Sequence, residues 1–415
     1  MQLDDFIEDF QRDEAAEKRR LAEEKSYEIT NYLDEVEQQF EQAVSGDSMF
    51  GATAPEIFVG RSSYPNVSTG VLSPVTDGDA ADFATSGQWY QQGLGVGDVL
   101  QRRTGMLNST RSANVDVTDV WDGFVGVQRE VAIADHPVDV EVGLDSEPDI
   151  DLSLDDVGAP TGPRASARSA DLAENPHVPR PVKKTLEDDD WQAEGAMSYL
   201  YRRGFDVYDI NTILSAGALG RGRDRRLVPT RWSITAVDDT VGQFVRGGIT
   251  NAPAINETEV HYNEYMGNRY WVILTPGQWE FELVEMKAPE SVWNPAGEAY
   301  YLASAHEGYE GRTGYVEETA GAYYASRLGV LEHLKDRGRQ AKCLVLREVT
   351  DDYWAPVGVW QVREGVRNAF EGENGVSETF RDAVTQVTQQ LPISMGALRR
   401  KSEMVAGLQA KLSDF

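Results

Sequence analysis

The chain is poor in the residues that most directly announce a chemistry. Of its 415 residues one is cysteine, Cys343, and only nine are lysine. A single thiol excludes an intramolecular disulfide and a cysteine-built zinc site. Its place in the apolar run Cys343-Leu344-Val345-Leu346 marks it as a buried strand residue. No apolar run reaches the about 18 residues a membrane span needs, and the start, Met1-Gln2-Leu3-Asp4-Asp5, is acidic rather than basic and apolar. A cytoplasmic protein without membrane contact is expected. Gly93-Leu94-Gly95-Val96-Gly97 lacks the Lys-Ser/Thr pair of a phosphate-binding Walker loop and reads as a loop. His136, His177, His261, His306 and His333 are scattered, with no HExxH or paired metal spacing, and read as structural or surface residues.

What is abundant is acid. Asp and Glu number 69 against 39 Lys and Arg, for a net charge of -30 and a pI near 4.5. Acid excess along the whole chain with scarce lysine fits a protein kept soluble in a salt-rich cytosol, so a halophilic archaeal source is expected. At about 1 M ionic strength the Debye length is about 3 Å, so long-range repulsion from DNA is screened and local contacts decide. The acidity therefore does not exclude a nucleic-acid partner.

Length and pattern predict two globular units with extensions. Residues 1–48 read as a charged helical arm, with Phe6, Phe10, Leu21, Ile29, Leu33, Val36 and Phe40 at roughly helical spacing. A first domain is expected over 50–292, a second over 293–392, and a flexible tail over 393–415. Val138-Asp139-Val140-Glu141-Val142 alternates as a half-exposed strand should, whereas 146–190, rich in Asp, Pro, Ala and Ser, reads as irregular. A helix is expected from Trp191 to Ser215. Strands are expected over Trp232–Val237, Glu259–Tyr265, Tyr270–Leu274 and Trp279–Met286, the last three as an antiparallel meander joined at Gly267-Asn268 and Pro276-Gly277. A helix near 313–334, strands over Lys342–Val349 and Val357–Val362, and two more helices ending near Gln390 complete the pattern. The fold class is α+β or mixed α/β, an antiparallel-rich sheet with flanking helices.

The last seven residues read Gln409-Ala410-Lys411-Leu412-Ser413-Asp414-Phe415. This resembles the box by which proteins dock on the replication sliding clamp, PCNA. Leu412 and Phe415 lie three apart, so one helical turn puts both on one face, where they can enter an apolar groove beside a polar anchor from Gln409. Many such boxes end in two adjacent aromatics, and this one has only Phe415. Three internal segments join it: Phe58-Val59-Gly60-Arg61-Ser62-Ser63-Tyr64-Pro65-Asn66-Val67, the stretch from Arg226 through Trp232 to Asp239, and Gly358-Val359-Trp360-Gln361-Val362-Arg363-Glu364. Together they resemble the archaeal Nre DNA repair family over about residues 50 to 415. The resemblance implies repair of damaged DNA alongside nucleotide-excision proteins, docked on the clamp through Gln409, Leu412 and Phe415. Relatives often begin with a cysteine zinc motif that this chain lacks, so no zinc is expected.

Two further constellations could carry chemistry. Arg221, Arg223, Arg225, Arg226 and Arg231 crowd one stretch of an acidic chain, among Gly217, Gly220 and Gly222 that leave the backbone free to approach a ligand. Guanidinium forks suit phosphate, so this is the candidate DNA or nucleotide contact; the alternative is a surface loop paired with nearby carboxylates. Glu285-Met286-Lys287 ends one expected strand and Asp238-Asp239 another. A strand-borne acid, one spacer and a lysine resembles the site of Mg²⁺-dependent nucleases, in which carboxylates hold the ion and lysine orients water. The alternative function is accordingly a metal-dependent nuclease or nucleotide hydrolase localised by the clamp. Arg363 and Glu364 read as a buried or interface ion pair.

Overall fold

A computed structural model describes residues 48–75, 78–117, 121, 123–145 and 162–408. All but Ser48 of the expected arm, and the whole of the terminal box 409–415, lie outside these residues. The chain divides between Val241 and Gly242 into two compact units, the boundary falling within one long helix. Each unit holds a six-stranded mixed sheet with helices around it. No described helix is long and apolar enough to cross a membrane.

The first unit is built on β1 (Ser48–Thr53), β2 (Ile57–Val59), β3 (Asn66–Pro74), β4 (Met106–Asn114), β5 (Val138–Leu144) and β6 (Arg164–Leu172), in the order β1-β5-β6-β4-β3-β2. Only β4 and β6 pair in parallel. The alternation in β5 does what it predicts: Val138, Val140 and Val142 are buried and Glu141 is exposed. The helices are α1 (Gln88–Gln91), α2 (Val96–Thr104), α3 (Gly123–Ile133), α4 (Arg180–Glu187), α5 (Ala193–Arg202), α6 (Val207–Ser215) and α7 (Thr230–Ile249).

Three expectations fail here for identifiable reasons. Strand β6 and helix α4 lie in the stretch expected to be irregular. The inward side chains of β6 are Ala165, Ala167 and Ala170, too small to stand out as a hydrophobic pattern, and a bulge opposite Gly143 and Leu144 breaks the period between the last two. The single helix expected from Trp191 to Ser215 is two, because the chain turns after Arg203 and Asp206 caps α6 by accepting from Tyr208 N. Trp232–Val237 is no strand but the first turns of α7. Ile234, Thr235 and Val237 favour strand locally, yet Ser233, Val237, Val241, Val245 and Ile249 are buried at a spacing of four, and that helical face decides.

The second unit carries β7 (Thr258–Tyr265), β8 (Asn268–Thr275), β9 (Glu280–Lys287), β10 (Tyr301–Glu307), β11 (Lys342–Val349) and β12 (Gly375–Ser377), in the order β10-β9-β11-β8-β7-β12. The β7–β8 hairpin forms as expected, with its turn at Met266-Gly267, one residue before the expected Gly267-Asn268, but the meander does not continue. Strand β11 inserts between β8 and β9, antiparallel to the first and parallel to the second, so strands on both sides of residue 292 share this sheet. Cys343 sits on β11, fully buried, where burial pushes its thiol pKa up. Helices α8 (Ala320–Asp336), α9 (Trp360–Ala369), α10 (Phe380–Thr388), α11 (Met395–Lys401) and α12 (Glu403–Ala406) surround the sheet. The expected strand Val357–Val362 is the approach to α9 and its first turn. Trp360, Val362, Val366 and Ala369 are buried, and Gly365 admits Tyr270 so closely that a Cβ there would lie 2.5 Å from its ring.

The expected tail is shorter than its composition suggests. Helices α11 and α12 bury Leu398, Met404 and Val405 against Trp271, Ile273 and Leu344. The buried carboxylate of Glu282 accepts from Ser402 Oγ at 2.6 Å, Glu403 N at 2.8 Å and Met404 N at 3.0 Å, which caps α12 from the sheet. The chain is thus fastened to the second unit up to Leu408, immediately before the Gln409–Phe415 box.

Candidate nucleic-acid interface

The Arg-rich stretch is a loop between α6 and α7, and its arginines do different work. Arg225 is buried: its Nε donates to Gly220 O at 3.1 Å and its Nη2 to Leu186 O at 2.7 Å. It fastens the loop to the end of α4 and is withdrawn from any ligand. Gly217, at φ +67°, lies against the Arg226 carbonyl, where a Cβ would come within 2.8 Å. The glycine thus serves chain packing rather than ligand approach. Leu227 N donates to Val115 O at 2.8 Å and Val228 N to Ser215 O at 3.0 Å, so the loop leaves toward α7 on a fixed course. Arg223 and Arg226 are exposed, Arg221 is half-buried, and Arg231 is exposed on the first turn of α7. Arg221 Nη2 pairs with Asp224 at 2.8 Å and Arg223 Nε lies 3.9 Å from the same carboxylate. These surface pairs are worth about 0–1 kcal/mol each, little enough for an incoming phosphate to displace.

The start of α7 meets the first signature segment. Thr230 Oγ1 accepts from Val59 N at 2.9 Å, joining the end of β2 to the helix N-terminus. Just beyond β2, Tyr64 N donates to Arg61 O at 3.3 Å and Asn66 N to Ser63 O at 2.9 Å, folding residues 61–66 into a turn, and Val115 N holds Pro65 O at 2.9 Å. This turn sets Tyr64 beside Trp232, ring centroids 5.5 Å apart at a tilt of 48°. Both rings are about half exposed, 49% and 46%. The pair is invisible in sequence because the local pattern puts Trp232 on a strand; its one signal is that each ring lies in a family-like segment.

The proposed nuclease residues are engaged elsewhere. Glu285 on β9 is buried and its carboxylate meets the guanidinium of Arg347, directly opposite on β11. Arg347 also donates to Asn268 Oδ1 through Nε at 3.0 Å and Nη2 at 2.7 Å. Lys287 leans over the Tyr301 ring at 5.7 Å. Asp238 and Asp239 are not at a strand end but within α7, Asp238 fully buried and Asp239 half-buried, in the other compact unit. Glu364 pairs with Arg367 at 2.9 Å, and Arg367 also grips Glu332 of α8, so Arg367 joins the two helices; Arg363 is buried beside Glu364 on α9.

The fold also gathers histidines that looked scattered. Asp135 receives His136 Nδ1 at 2.7 Å and His177 Nδ1 at 2.8 Å in an exposed cluster. Glu259, His261 and His333 come together in the second unit, but Arg337 grips both Glu259 oxygens, at 2.6 and 2.8 Å, and Phe370 stacks on His333 at 3.8 Å. The guanidinium fills the side from which a cation would use that carboxylate. Burial, with His261 and Arg337 nearby, lowers the His333 pKa to about 4, and burial lowers that of His261 as well. Because the folded state holds these imidazoles neutral, their contribution to stability is present above the unfolded value near 6.5 and is lost as pH falls toward 4. Denaturant midpoints measured at constant salt should therefore drop between pH 6.5 and 4, and His333→Phe should flatten that drop.

Comparison with known proteins follows this geometry. Residues 21–294 match the family described as Archaeal Nre, N-terminal, and residues 307–415 match Archaeal Nre, C-terminal. The chain is 66% identical over 420 residues to DNA repair protein NreA of Haloferax volcanii, a halophile, with the whole of both chains covered. It is 38% identical over 337 residues to DNA repair protein NreA of Archaeoglobus fulgidus, covering 81% of this chain and 84% of the relative. DNA repair protein NreB of the same organism is 35% identical over 368 residues, covering 88% of this chain and 92% of its own. No solved structure matches. The two domain matches and the full-length likeness establish that this chain belongs to the archaeal Nre family.

Proposed function

We propose that this chain is a DNA repair factor that contacts DNA through its Arg-rich loop, docks on the sliding clamp through Gln409–Phe415, and works with nucleotide-excision repair. Its relatives are named DNA repair proteins. The observation that carries the DNA contact is the rigidly held loop that presents Arg223 and Arg226, with Arg221 beside them and Arg231 after them, in a chain of net charge -30. Guanidinium groups on a fixed backbone suit phosphate oxygens, and at molar salt the surrounding acid repels DNA only within a few ångström. The engagement of Glu285 with Arg347 leaves the metal-dependent nuclease reading without a favouring observation.

Simultaneous replacement of Arg221, Arg223 and Arg226 by alanine should weaken duplex binding about tenfold or more and lower the slope of log K against log salt by about 2 to 3, one phosphate per arginine. Arg225 is left in place because it holds the loop. Fluorescence anisotropy titrations across a salt series provide the check. An unchanged affinity and slope would remove the loop from the DNA contact.

A further inference from the structure

We propose that Tyr64 and Trp232 form a stacking platform for an unpaired nucleobase, with Arg61 and Arg231 placed for the phosphates that flank it. This rests on the DNA-contact reading and goes beyond it, since it assigns single-stranded or flipped-out DNA to a site distinct from the Arg221–Arg226 loop. Single exposed apolar side chains are ordinary, but two large rings left exposed together are not. Among the described residues the other exposed aromatics with a ring or cation partner lean on something else: Trp121 on Arg129, Tyr262 on buried Trp271, Tyr301 on Lys287, and Tyr315 on buried Tyr324. Among the described residues, apart from the imidazoles of His136 and His177, which stack at 6.2 Å beside Asp135, Tyr64 and Trp232 are the exposed rings whose ring partner is exposed too.

The pair is also preorganised. Trp232 stands on the first turn of the twenty-residue helix α7, with its backbone N–H donating to Pro229 O at 2.8 Å. Tyr64 stands on the turn fastened by the Ser63–Asn66 and Pro65–Val115 bonds, and the Val59–Thr230 bond joins the two supports. A platform held in this way loses little side-chain freedom when a ligand arrives. The rings are tilted by 48° rather than stacked face to face, and each stays about half exposed, which leaves ring surface for a flat aromatic ligand.

Charge selects the ligand. Arg61 and Arg231 are exposed and flank the two rings in sequence, three residues before Tyr64 and directly before Trp232. Guanidinium groups carried on the same turn and the same first helical turn as the rings suit the phosphates beside a stacked base, and every base offers a π-face, so the contact tolerates any sequence. A base inside a duplex has both faces covered by its neighbours. Only a nucleotide outside the stack can use the platform.

The test compares Trp232→Ala, Tyr64→Ala and Trp232→Phe in the full chain, by anisotropy with a labelled oligothymidine and with a duplex of equal length in molar KCl. The alanine variants should bind the single strand about tenfold or more weaker and the duplex within about twofold of the unaltered chain, while Trp232→Phe keeps most of the affinity. Thermal unfolding within a few degrees of the unaltered chain would confirm folding. Single-strand binding that survives both alanine substitutions, while the Arg221, Arg223 and Arg226 triple replacement abolishes it, would overturn the platform and spare the DNA contact. Equal losses on single strand and duplex would also overturn it. Lost clamp binding with intact single-strand binding would assign the rings to a protein partner and overturn it as well. No binding of either DNA by the unaltered chain would sink the DNA contact itself.

Discussion

Replacing Glu285 with alanine will destabilise the second unit by about 3 to 5 kcal/mol rather than silence an active site. The substitution strands Arg347, whose charge lies between β8 and β9 with Asn268 as its other partner, in a sheet interior where Tyr270 and Tyr353 are also buried. An uncompensated buried guanidinium is among the costlier single defects a core can carry. At about 2 to 4 °C per kcal/mol for a unit of this size, the melting temperature should fall by about 10 °C. Glu285→Gln, which keeps an acceptor oxygen, should lose less, and the double replacement Glu285→Leu with Arg347→Met should recover much of the loss because neither charge then remains. A Glu285→Ala protein as stable as its parent, lacking a Mg²⁺-dependent cleavage the parent performs, would instead reinstate the nuclease reading.

How far this could be read from the sequence varied with how local the determinant was. Strand β11 was legible because Cys343-Leu344-Val345-Leu346 is an unbroken apolar run, as a strand buried on both faces must be. Strand β7 and the alternating β5 were legible from their patterns. The insertion of β11 between β8 and β9 was not legible, since Pro276-Gly277 signals a turn without saying which strand comes to lie alongside. Helix α7 was hidden by β-branched residues whose preference yielded to a face buried at every fourth position. Strand β6 was hidden by alanines. At the candidate interface the cluster of arginines was visible but their division of labour was not, because Arg225 is distinguished only by carbonyls at Gly220 and Leu186 that the fold brings to it. Tyr64 and Trp232 are far apart in the chain, and nothing short of the Val59–Thr230 contact brings them together.

The larger functional effect is expected at the proposed clamp box. Helix α12 is capped by Glu282, and Leu408 still packs on the core of the second unit. A box starting at Gln409 therefore follows directly on the folded body that it would bring to the clamp. In the proposed docking Leu412 and Phe415 would supply the two apolar anchors, each worth roughly 1.5 to 3 kcal/mol when buried, against which ordering of the peptide must be set, so micromolar affinity is expected. Removing the Phe415 ring should then weaken clamp binding by about tenfold or more, and removing all seven residues should abolish it. Neither change touches the Glu282 cap, so the fold and the DNA contact should persist. The most direct measurement is titration of the sliding clamp, in molar KCl, with the full chain, with Phe415→Ala and with a chain ending at Leu408. Micromolar binding by the full chain that falls in the first variant and vanishes in the second is the predicted result; equal binding by all three, or none by the full chain, would contradict clamp docking through this box.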